Sequence, residues 1–208
     1  MLSKANSNQS TTTEERDIRI KKAAYHYGKF LEALGFDYSK DPQTVDTPLR
    51  VAKSWVNDLV RGSLTPAPKV TTFPNEEGYD GIVIQTGIKV TSICAHHNLP
   101  FYGFAAVAYL PGKRVIGLSK LNRIVDWFSR RPQMQESLTQ QIHRHLSEIL
   151  ECENVAVSIS SHHLCCGMRG ISHADSLMTT NKFSGQFLEK DNLVREEFLT
   201  AIRMRNLQ

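Results

Sequence analysis

The chain has 208 residues, a formal net charge of +4, 40% hydrophobic residues and 22% charged residues. This composition is ordinary for a globular protein and excludes a low-complexity chain. No block of like charges predicts a nucleic-acid-binding arm, and no run approaches the ~20 consecutive apolar residues that a membrane helix needs. We therefore expect neither nucleic acid nor a membrane as a partner.

The first residues, 1–15, are rich in Ser, Thr and Asn and lack the apolar run of a secretory signal. We expect this segment to be a flexible tail. The chain contains 4 cysteines. Without a signal peptide, these cysteines are expected to be thiols or metal ligands of a cytoplasmic protein rather than a disulfide framework.

The next segment predicts two helices. Apolar residues recur at helical spacing from Ile20 to Leu34, and Gly35 follows where a C-terminal cap is expected. A second helix is predicted to begin at Thr47, which is followed by proline. An irregular, proline-rich connection comes next, so we assign residues 16–75 to a helical N-terminal region.

From Gly81 the pattern changes to segments rich in Val, Ile and Tyr, which predict strands. The four predicted strands are 82–93, 102–110, 154–161 and 176–183. Between the second and third, Ser119 is expected to cap one helix and Pro132 to open a longer one. A short amphipathic helix is predicted at about 192–204. The order strand, strand, helix, helix, strand, strand predicts an α+β domain over residues 76–208, with antiparallel strands and two helices on one face.

Cysteine and histidine residues cluster at the ends of two predicted strands. Cys94 and His97 have the two-residue gap with which a tight turn can hold one metal ion. A third ligand can come from the second cluster, where Cys165 and Cys166 follow a strand. Two cysteines and one histidine leave a fourth position for water, which is typical of a catalytic zinc. The alternative is that these cysteines only pack in the core.

Further motifs accompany these clusters along the chain. They are Thr47-Pro-Leu-Arg50, Gly117-Leu-Ser-Lys-Leu-Asn-Arg123, Arg131-Pro-Gln-Met-Gln-Glu136 and His163-Leu-Cys165 with Arg169-Gly170. Together with Cys94-Ala-His-His97, they occur in order within a match that extends from about residue 16 to 203. In this order and spacing, the motifs resemble those of the GTP cyclohydrolase I family.

The resemblance implies a tunnelling fold, in which the antiparallel sheets of several subunits join into a barrel. It also implies a homo-oligomer of two stacked rings, similar to a decamer, with active sites at subunit interfaces. Such a ring fits the predicted ββααββ order, because open sheet edges would otherwise be a liability.

The activity that the resemblance implies is hydrolytic opening of the imidazole ring of GTP. Formate is released and 7,8-dihydroneopterin triphosphate is formed. The family's cofactor is Zn²⁺, here on Cys94, His97 and Cys165, and Cys166 competes with Cys165 for the third position. His163 takes the role of the acid that protonates N7, and His96 that of a second catalytic histidine. The alternative for His96 is support of the zinc ligands.

The resemblance also implies how the triphosphate is bound, because the chain has neither a P-loop nor a glycine-rich dinucleotide turn. Lys120 and Arg123 share a face at a helix start, where the helix N-terminus itself favours anions. Arg169 and Arg50 match further arginines of the family. Ser119 is expected to contact the substrate as well as cap its helix.

Guanine selectivity is expected from Glu136, whose carboxylate can accept hydrogen bonds from N1–H and the 2-amino group. Gln135 lies beside it and is expected to contact the substrate too. One departure from the family pattern is Ala95, which stands where glutamate is common. This position is not a zinc ligand in the family, so we expect activity to be retained.

Two other functions stay open. One is a zinc-bearing binding or assembly module that has the same fold and no turnover. The other is an enzyme of the tunnelling fold that acts on a pterin or a deazapurine. Identification of the product by mass distinguishes the last from a GTP cyclohydrolase.

Overall fold

The structure, a computed structural model, describes residues 11–170, 172–189 and 193–206. The chain divides into two compact units, the first ending at Ala67 and the second beginning at Pro68. Each unit buries apolar side chains of its own, so the two are described in turn.

The first unit begins with helix α1 (Thr13–Ala33). Thr12 caps it, because its hydroxyl accepts from the amide of Glu15 and the Glu15 carboxylate accepts from the Thr12 amide. Gly35 follows the helix in the left-handed conformation, at φ 84°, as its position predicts. The helix therefore starts inside the predicted tail of residues 1–15, most of which lies outside the described residues.

Helix α2 (Thr47–Ser54) completes this unit and carries a proline in its first turn, as predicted. It continues into a π-helical turn, Trp55–Leu59. Ala52 and Val56 are buried against Ile20 of α1, so a small apolar cluster holds the two helices together.

The second unit contains a five-stranded sheet and a separate two-stranded pair. Its strands are β1 (Thr72–Pro74), β2 (Val83–Cys94), β3 (Pro100–Tyr109), β4 (Arg114–Ile116), β5 (Pro132–Gln133), β6 (Val155–His163) and β7 (Met178–Phe183). The large sheet has the order β5-β2-β3-β6-β7, and only the short β2–β5 pair is parallel. Strands β1 and β4 form the separate antiparallel pair. The expected combination of helices with antiparallel strands is confirmed.

The helices of this unit are α3 (Leu118–Ser129), α4 (Gln135–Leu150), α5 (Leu164–Gly167) and α6 (Leu193–Asn206). Side chains of β3 alternate between the two faces of the sheet. Val107 and Tyr109 join the core that contains the buried residues of α3 and α4, whereas Ala106 and Ala108 pack with Phe198 of α6. Helices α3 and α4 therefore share one face, and α6 covers part of the other.

One predicted helix start is wrong. Pro132 was expected to open α4, but Pro132 and Gln133 form β5, which pairs with the end of β2 at Ile93 and Cys94. Helix α4 begins three residues after Pro132, at Gln135. Pairing with a strand almost forty residues earlier in the chain cannot be inferred from a local helix-start pattern.

Strand β1 lies within the region assigned to the N-terminal helices, residues 16–75, but it belongs to the second unit because it pairs with β4. The predicted C-terminal helix is present as α6, and its expected first residue, Asn192, lies outside the described residues. Across the described ranges, no helix has both the length and the apolar character needed to span a membrane.

Candidate active site

The first part of the site is the turn between β2 and β3. Cys94 ends β2, its amide donates to the carbonyl of Leu99, and its own carbonyl accepts from the amide of Asn98, both at 2.9 Å. Asn98 adopts the left-handed conformation, at φ 55°, which asparagine tolerates better than most residues. This closed turn brings His97 back toward the Cys94 thiol.

The second part of the site is helix α5, which follows β6 directly. Because β3 lies between β2 and β6, and Phe101 pairs with His163, the end of β6 reaches the same edge of the sheet as the turn. The ligand atoms of Cys94, His97 and Cys165 lie within 4.8 Å of one another.

This group fits a zinc ion. Zn–S bonds of about 2.3 Å and Zn–N bonds of about 2.0–2.1 Å place tetrahedral ligands roughly 3.3–3.8 Å apart. Closing the observed group, with its spread of up to 4.8 Å, around an ion needs movements of no more than about 1 Å. Thiolate and imidazole ligands favour zinc over magnesium or calcium. Three protein ligands leave one position for water or substrate.

The thiols of this group lie close enough to influence one another. The pKa of Cys165 is raised to about 11. Burial is the largest cause, and the neighbouring thiols of Cys94 and Cys166 contribute the rest. A bound cation reverses this effect, because a coordinating thiol is deprotonated. Among the described residues, the group of donors contains Cys165 and not Cys166, so the geometry favours Cys165 as the third ligand.

Two other predicted residues lie beside the metal group. The Nδ1 atom of His96 is 4.0 Å from the Cys94 sulfur. Arg169 donates from Nη2 to Nε2 of His97 at 2.7 Å, since a guanidinium has only donors. Arg169 therefore brings a positive charge next to the metal ligands, where an anionic substrate can use it.

His163 lies on the side of the site formed by β6 and α4. Its ring stacks on Phe101 with a centroid separation of 4.7 Å and an interplanar angle of 5°. Its Nε2 atom is 2.8 Å from Oε1 of Gln135. Burial lowers the pKa of His163, and the nearby carboxylate of Glu136 opposes that effect. The half-buried ring is thus held in one orientation near the predicted guanine-binding carboxylate.

The structure revises the expectation for Gln135. Its side chain is only 1% exposed and forms hydrogen bonds at both ends. These contacts support a role in holding His163, and the assignment of Gln135 to the substrate rests on the resemblance. Glu136, the next residue, is exposed in the first turn of α4 and remains available to a ligand.

Sequence reasoning did not identify Phe101 or Ser161 as part of the site. Phe101 supports the His163 ring, and the Ser161 hydroxyl donates to Oε1 of Gln135. Strand alternation predicts that both side chains are buried. Only the β3–β6 register shows that Phe101 lies opposite His163, and that register follows from pairing across sixty residues.

The predicted phosphate-binding residues lie on α3. Ser119 and Arg123 are exposed, and Lys120 is half-buried. The expectation that Ser119 caps this helix is wrong. The helix begins at Leu118 after Gly117, whose extended backbone takes the cap position, and no side chain caps it.

These α3 residues do not lie near the metal group of the same chain. Gln85, close to the start of β2, donates to Asn122 of α3 at 2.9 Å. Gln85 and Cys94 lie nine positions apart along β2, which at about 3.3 Å per residue is at most roughly 30 Å. Lys120 and Arg123 flank Asn122, so they lie at the opposite end of the sheet from the metal ligands. Within one chain, a single nucleoside triphosphate does not reach both groups.

Arg50 belongs to the first unit. It lies in α2, is exposed and forms an ion pair with Asp46 at 3.4 Å. An exposed pair of this kind contributes little to stability. The assignment of Arg50 to the substrate rests on the resemblance to the family.

Comparison with known proteins agrees with these features. The sequence profile of the family described as GTP cyclohydrolase I matches residues 23–203. A GTP cyclohydrolase 1 of Pectobacterium carotovorum is 44% identical over 193 residues, which cover 92% of this chain and 87% of the relative. One from Flavobacterium johnsoniae is 43% identical over 195 residues, covering 93% and 84%.

Among solved structures, the apo form of an archaeosine synthase QueF-Like is similar over 50% of this chain and 93% of its own, with a TM-score of 0.40 and 18% identity.

Proposed function

The chain belongs to the GTP cyclohydrolase I family, and from this premise we propose how its residues divide the work of the reaction. The reaction is the hydrolytic opening of the guanine imidazole ring of GTP. It releases formate and yields 7,8-dihydroneopterin triphosphate, the first pterin of a biosynthetic route. The observation that carries the proposal is the group of two thiols and one imidazole beside a stacked, hydrogen-bonded histidine.

Zn²⁺ is the metal that we assign to Cys94, His97 and Cys165. When bound there, it supplies a nucleophile at neutral pH by lowering the pKa of a water molecule toward ~7. The buried Cys94 and half-buried Cys165 thiols fit this cation, because a coordinating thiol is deprotonated, whereas burial without a cation raises the pKa of Cys165.

His163 is the residue that we assign to proton transfer at N7 of the purine. The attack of water on C8 places negative charge on N7, and a positioned imidazole can protonate it as that charge develops. A histidine suits this task because its ordinary pKa lies near neutrality. His96, beside the Cys94 sulfur, is assigned to ordering water or relaying protons at the same centre.

Glu136 is assigned to guanine. Its carboxylate accepts from N1–H and from the 2-amino group, two donors that adenine does not present in this arrangement. A site built on such pairs rejects an analogue strongly, because the buried acceptor loses its partner. In the single chain Glu136 is exposed, so the bound ligand and a neighbouring subunit would have to bury its carboxylate.

The triphosphate is assigned to Lys120, Arg123, Arg169 and Arg50, with Ser119 as a further contact. Arg169 lies with the metal ligands, whereas Lys120 and Arg123 lie near Gln85 at the far end of the sheet. One complete site therefore needs the metal group of one subunit and the α3 residues of another.

A homo-oligomer of two stacked rings with the tunnelling fold meets this requirement. In the described part of the sheet, β2 pairs on its outer side only with the two residues of β5, and β7 has a single neighbour. Such open edges can pair between subunits. Several apolar side chains of the first unit are also exposed in the single chain, namely Ile18, Tyr25, Phe30, Leu34 and Phe36. Burial of these side chains between subunits would stabilise the assembly.

The test is incubation of metal-replete protein with GTP. Formate is measured by an enzymatic assay, the pterin by fluorescence after oxidation and the product by mass. We expect both products, and no activity after treatment with a strong zinc chelator. ATP is the matched control and should yield neither. Nucleotide binding without formate would indicate a binding module, and a product of another mass would indicate a different enzyme.

A further inference from the structure

The ring of His163 is held from two sides. Phe101, which is fully buried, stacks against one face with nearly parallel rings. In the ring plane, Nε2 lies 2.8 Å from Oε1 of Gln135. A stacked face and one in-plane hydrogen bond together leave the ring little freedom to rotate or flip.

The orientation of the Gln135 amide is fixed by its other contacts. Its Nε2 atom lies 2.9 Å from the carbonyl oxygen of Ile159 and 3.0 Å from that of Met178. Main-chain carbonyls accept and never donate, so this end of the amide must be the NH₂ group. The opposite end is the oxygen, to which the hydroxyl of Ser161 also donates.

This orientation decides which nitrogen of His163 carries a permanent proton. An amide oxygen can only accept, so the hydrogen bond at Nε2 requires an N–H on that atom. Turning the amide around would leave its NH₂ group facing a ring nitrogen and its oxygen facing two carbonyl oxygens. In the described ranges, Nδ1 of His163 has no hydrogen-bond partner.

We propose that Gln135 is a positioning residue for the reaction, which holds His163 with Nε2 protonated and leaves Nδ1 as the atom that exchanges a proton with the substrate. This inference rests on the proposed function. As a hydroxide formed from water bonds to C8, the electron pair of the C8–N7 double bond moves to N7. That water gives its proton to Nδ1 of the neutral ring, Nδ1 passes the proton on to N7, and His163 keeps its Nε2 proton in the hydrogen bond to Gln135.

A control variant can distinguish the positioning of His163 by Gln135 from a purely structural role of Gln135. The amide NH₂ group joins α4 to β6 and β7, and its nitrogen also lies 3.1 Å from the hydroxyl oxygen of Thr180. Thr180 contacts the hydroxyl of Thr139 at 2.7 Å as well. Thr180→Val therefore disturbs the same buried cluster but leaves the Gln135–His163 hydrogen bond in place. It is the matched control for Gln135→Met, which keeps the length of the side chain and removes both its oxygen and its NH₂ group.

The experiment has two readouts on the metal-loaded protein. In steady-state kinetics with GTP, Gln135→Met should lower kcat by about 100-fold with KM changed less than about threefold, because a misplaced reacting group costs about that much. Thr180→Val should change both less than about threefold. Equal losses in the two variants would overturn the inference, as would full activity in Gln135→Met.

The second readout needs no turnover and no Gln135 variant. Magic-angle-spinning NMR of protein labelled with [13C,15N]histidine reports the tautomer of each ring, and a His163→Ala sample identifies the His163 signals. We expect the neutral ring to carry its proton on Nε2, and the Nδ1–H tautomer would overturn the inference. Absence of formate from the parent protein would instead reject the proposed function, whatever the tautomer.

Discussion

The side chain of Gln85 donates to Oδ1 of Asn122 at 2.9 Å, which places the second turn of α3 at the start of β2. The metal ligands lie at the other end of that strand, because Cys94 is its last residue. In the proposed homo-oligomer, the positively charged residues beside Asn122 and the metal group of the same chain therefore serve different active sites. The proposed assembly would thus complete each active site as well as stabilise the subunits.

This division predicts complementation between two inactive variants. Lys120→Ala removes the phosphate-binding half of a site, and His163→Ala removes the catalytic half, so each homo-oligomer should be nearly inactive. After the two are unfolded together and reassembled in equal amounts, about a quarter of the sites combine two intact halves. Formate release should recover to about that fraction of the parent rate.

The matched control replaces the first variant with a chain that carries both substitutions. Mixing that chain with His163→Ala leaves no intact catalytic half, so no recovery is expected. If the Lys120→Ala and His163→Ala mixture also shows none, although mass measurements confirm mixed oligomers, the site lies within one chain.

A second prediction concerns guanine selectivity. Glu136→Gln keeps the size of the side chain and replaces a charged acceptor by a neutral amide. Since hydrogen bonds to a charged group are the stronger kind, kcat/KM for GTP should fall by about 10- to 100-fold. Discrimination against ATP should fall with it.

Glu148→Gln, at an exposed position of the same helix, is the control and should leave kcat/KM unchanged. An unchanged preference for GTP in Glu136→Gln would show that guanine is recognised elsewhere.

Helices and strands could be predicted from periodicity because they depend on local pattern. The strand that ends at Cys94 and the helix that ends before Gly35 are examples. Ser119 shows the limit of such patterns, since a serine near a helix start can be a cap or simply a residue of the first turn. Gln135 shows a second limit. Its inward orientation depends on carbonyls of β6 and β7 that only the folded sheet brings to it.

The candidate site could be predicted in part for the same reason. The donor types and the Cys94 to His97 gap are local, so they indicate a metal site directly. The choice between Cys165 and Cys166 depends on how α5 turns after β6, which no spacing rule gives. The separation of Lys120 from the metal ligands depends on the packing of α3 along β2.

A third prediction tests the register that places Phe101 under His163. Gly103 pairs with Ser161 two residues further along the same strands. A Cβ atom at Gly103 would overlap the carbonyl oxygen of Ser160, which is main chain and cannot move aside alone. Gly103→Ala should therefore lower the free energy of unfolding by about 2 kcal/mol or more, measured by urea denaturation.

Gly112→Ala is the matched control, because nothing lies within 4 Å of its Cβ position. Its free energy of unfolding should stay within about 0.5 kcal/mol of the parent. Equal stability of the two variants would contradict the close approach of β3 and β6.

A fourth prediction concerns pH. Nε2 of His143 lies 2.8 Å from the hydroxyl oxygen of Ser184, and burial, followed by the positive charge of Lys182, lowers the pKa of His143 from the ordinary value of 6.5. Below pH 6.5 the unfolded chain therefore binds a proton at this position more readily than the folded chain does. Stability should fall as pH drops below that value, and the loss should end at the lower pKa of the folded state.

His143→Gln retains a donor for Ser184 and cannot titrate, so its urea midpoint should fall less between pH 7.5 and pH 5.5 than the parent's. The pH range is about one unit either side of the ordinary histidine pKa. All other ionisable groups are the same in the two proteins, so their effects cancel in the difference. His26→Gln, at an exposed position of α1, should behave as the parent does. Identical slopes for the parent and His143→Gln would contradict this prediction.

The most direct test of the metal site compares Cys165→Ser with Cys166→Ser. Zinc per subunit is measured by mass spectrometry, and formate release from GTP is measured on the same samples. The geometry predicts that Cys165→Ser loses the ion and the activity, whereas Cys166→Ser keeps one zinc per subunit and most of the parent rate. Retention of both zinc and activity in Cys165→Ser would contradict the assignment of Cys94, His97 and Cys165 as the catalytic metal centre.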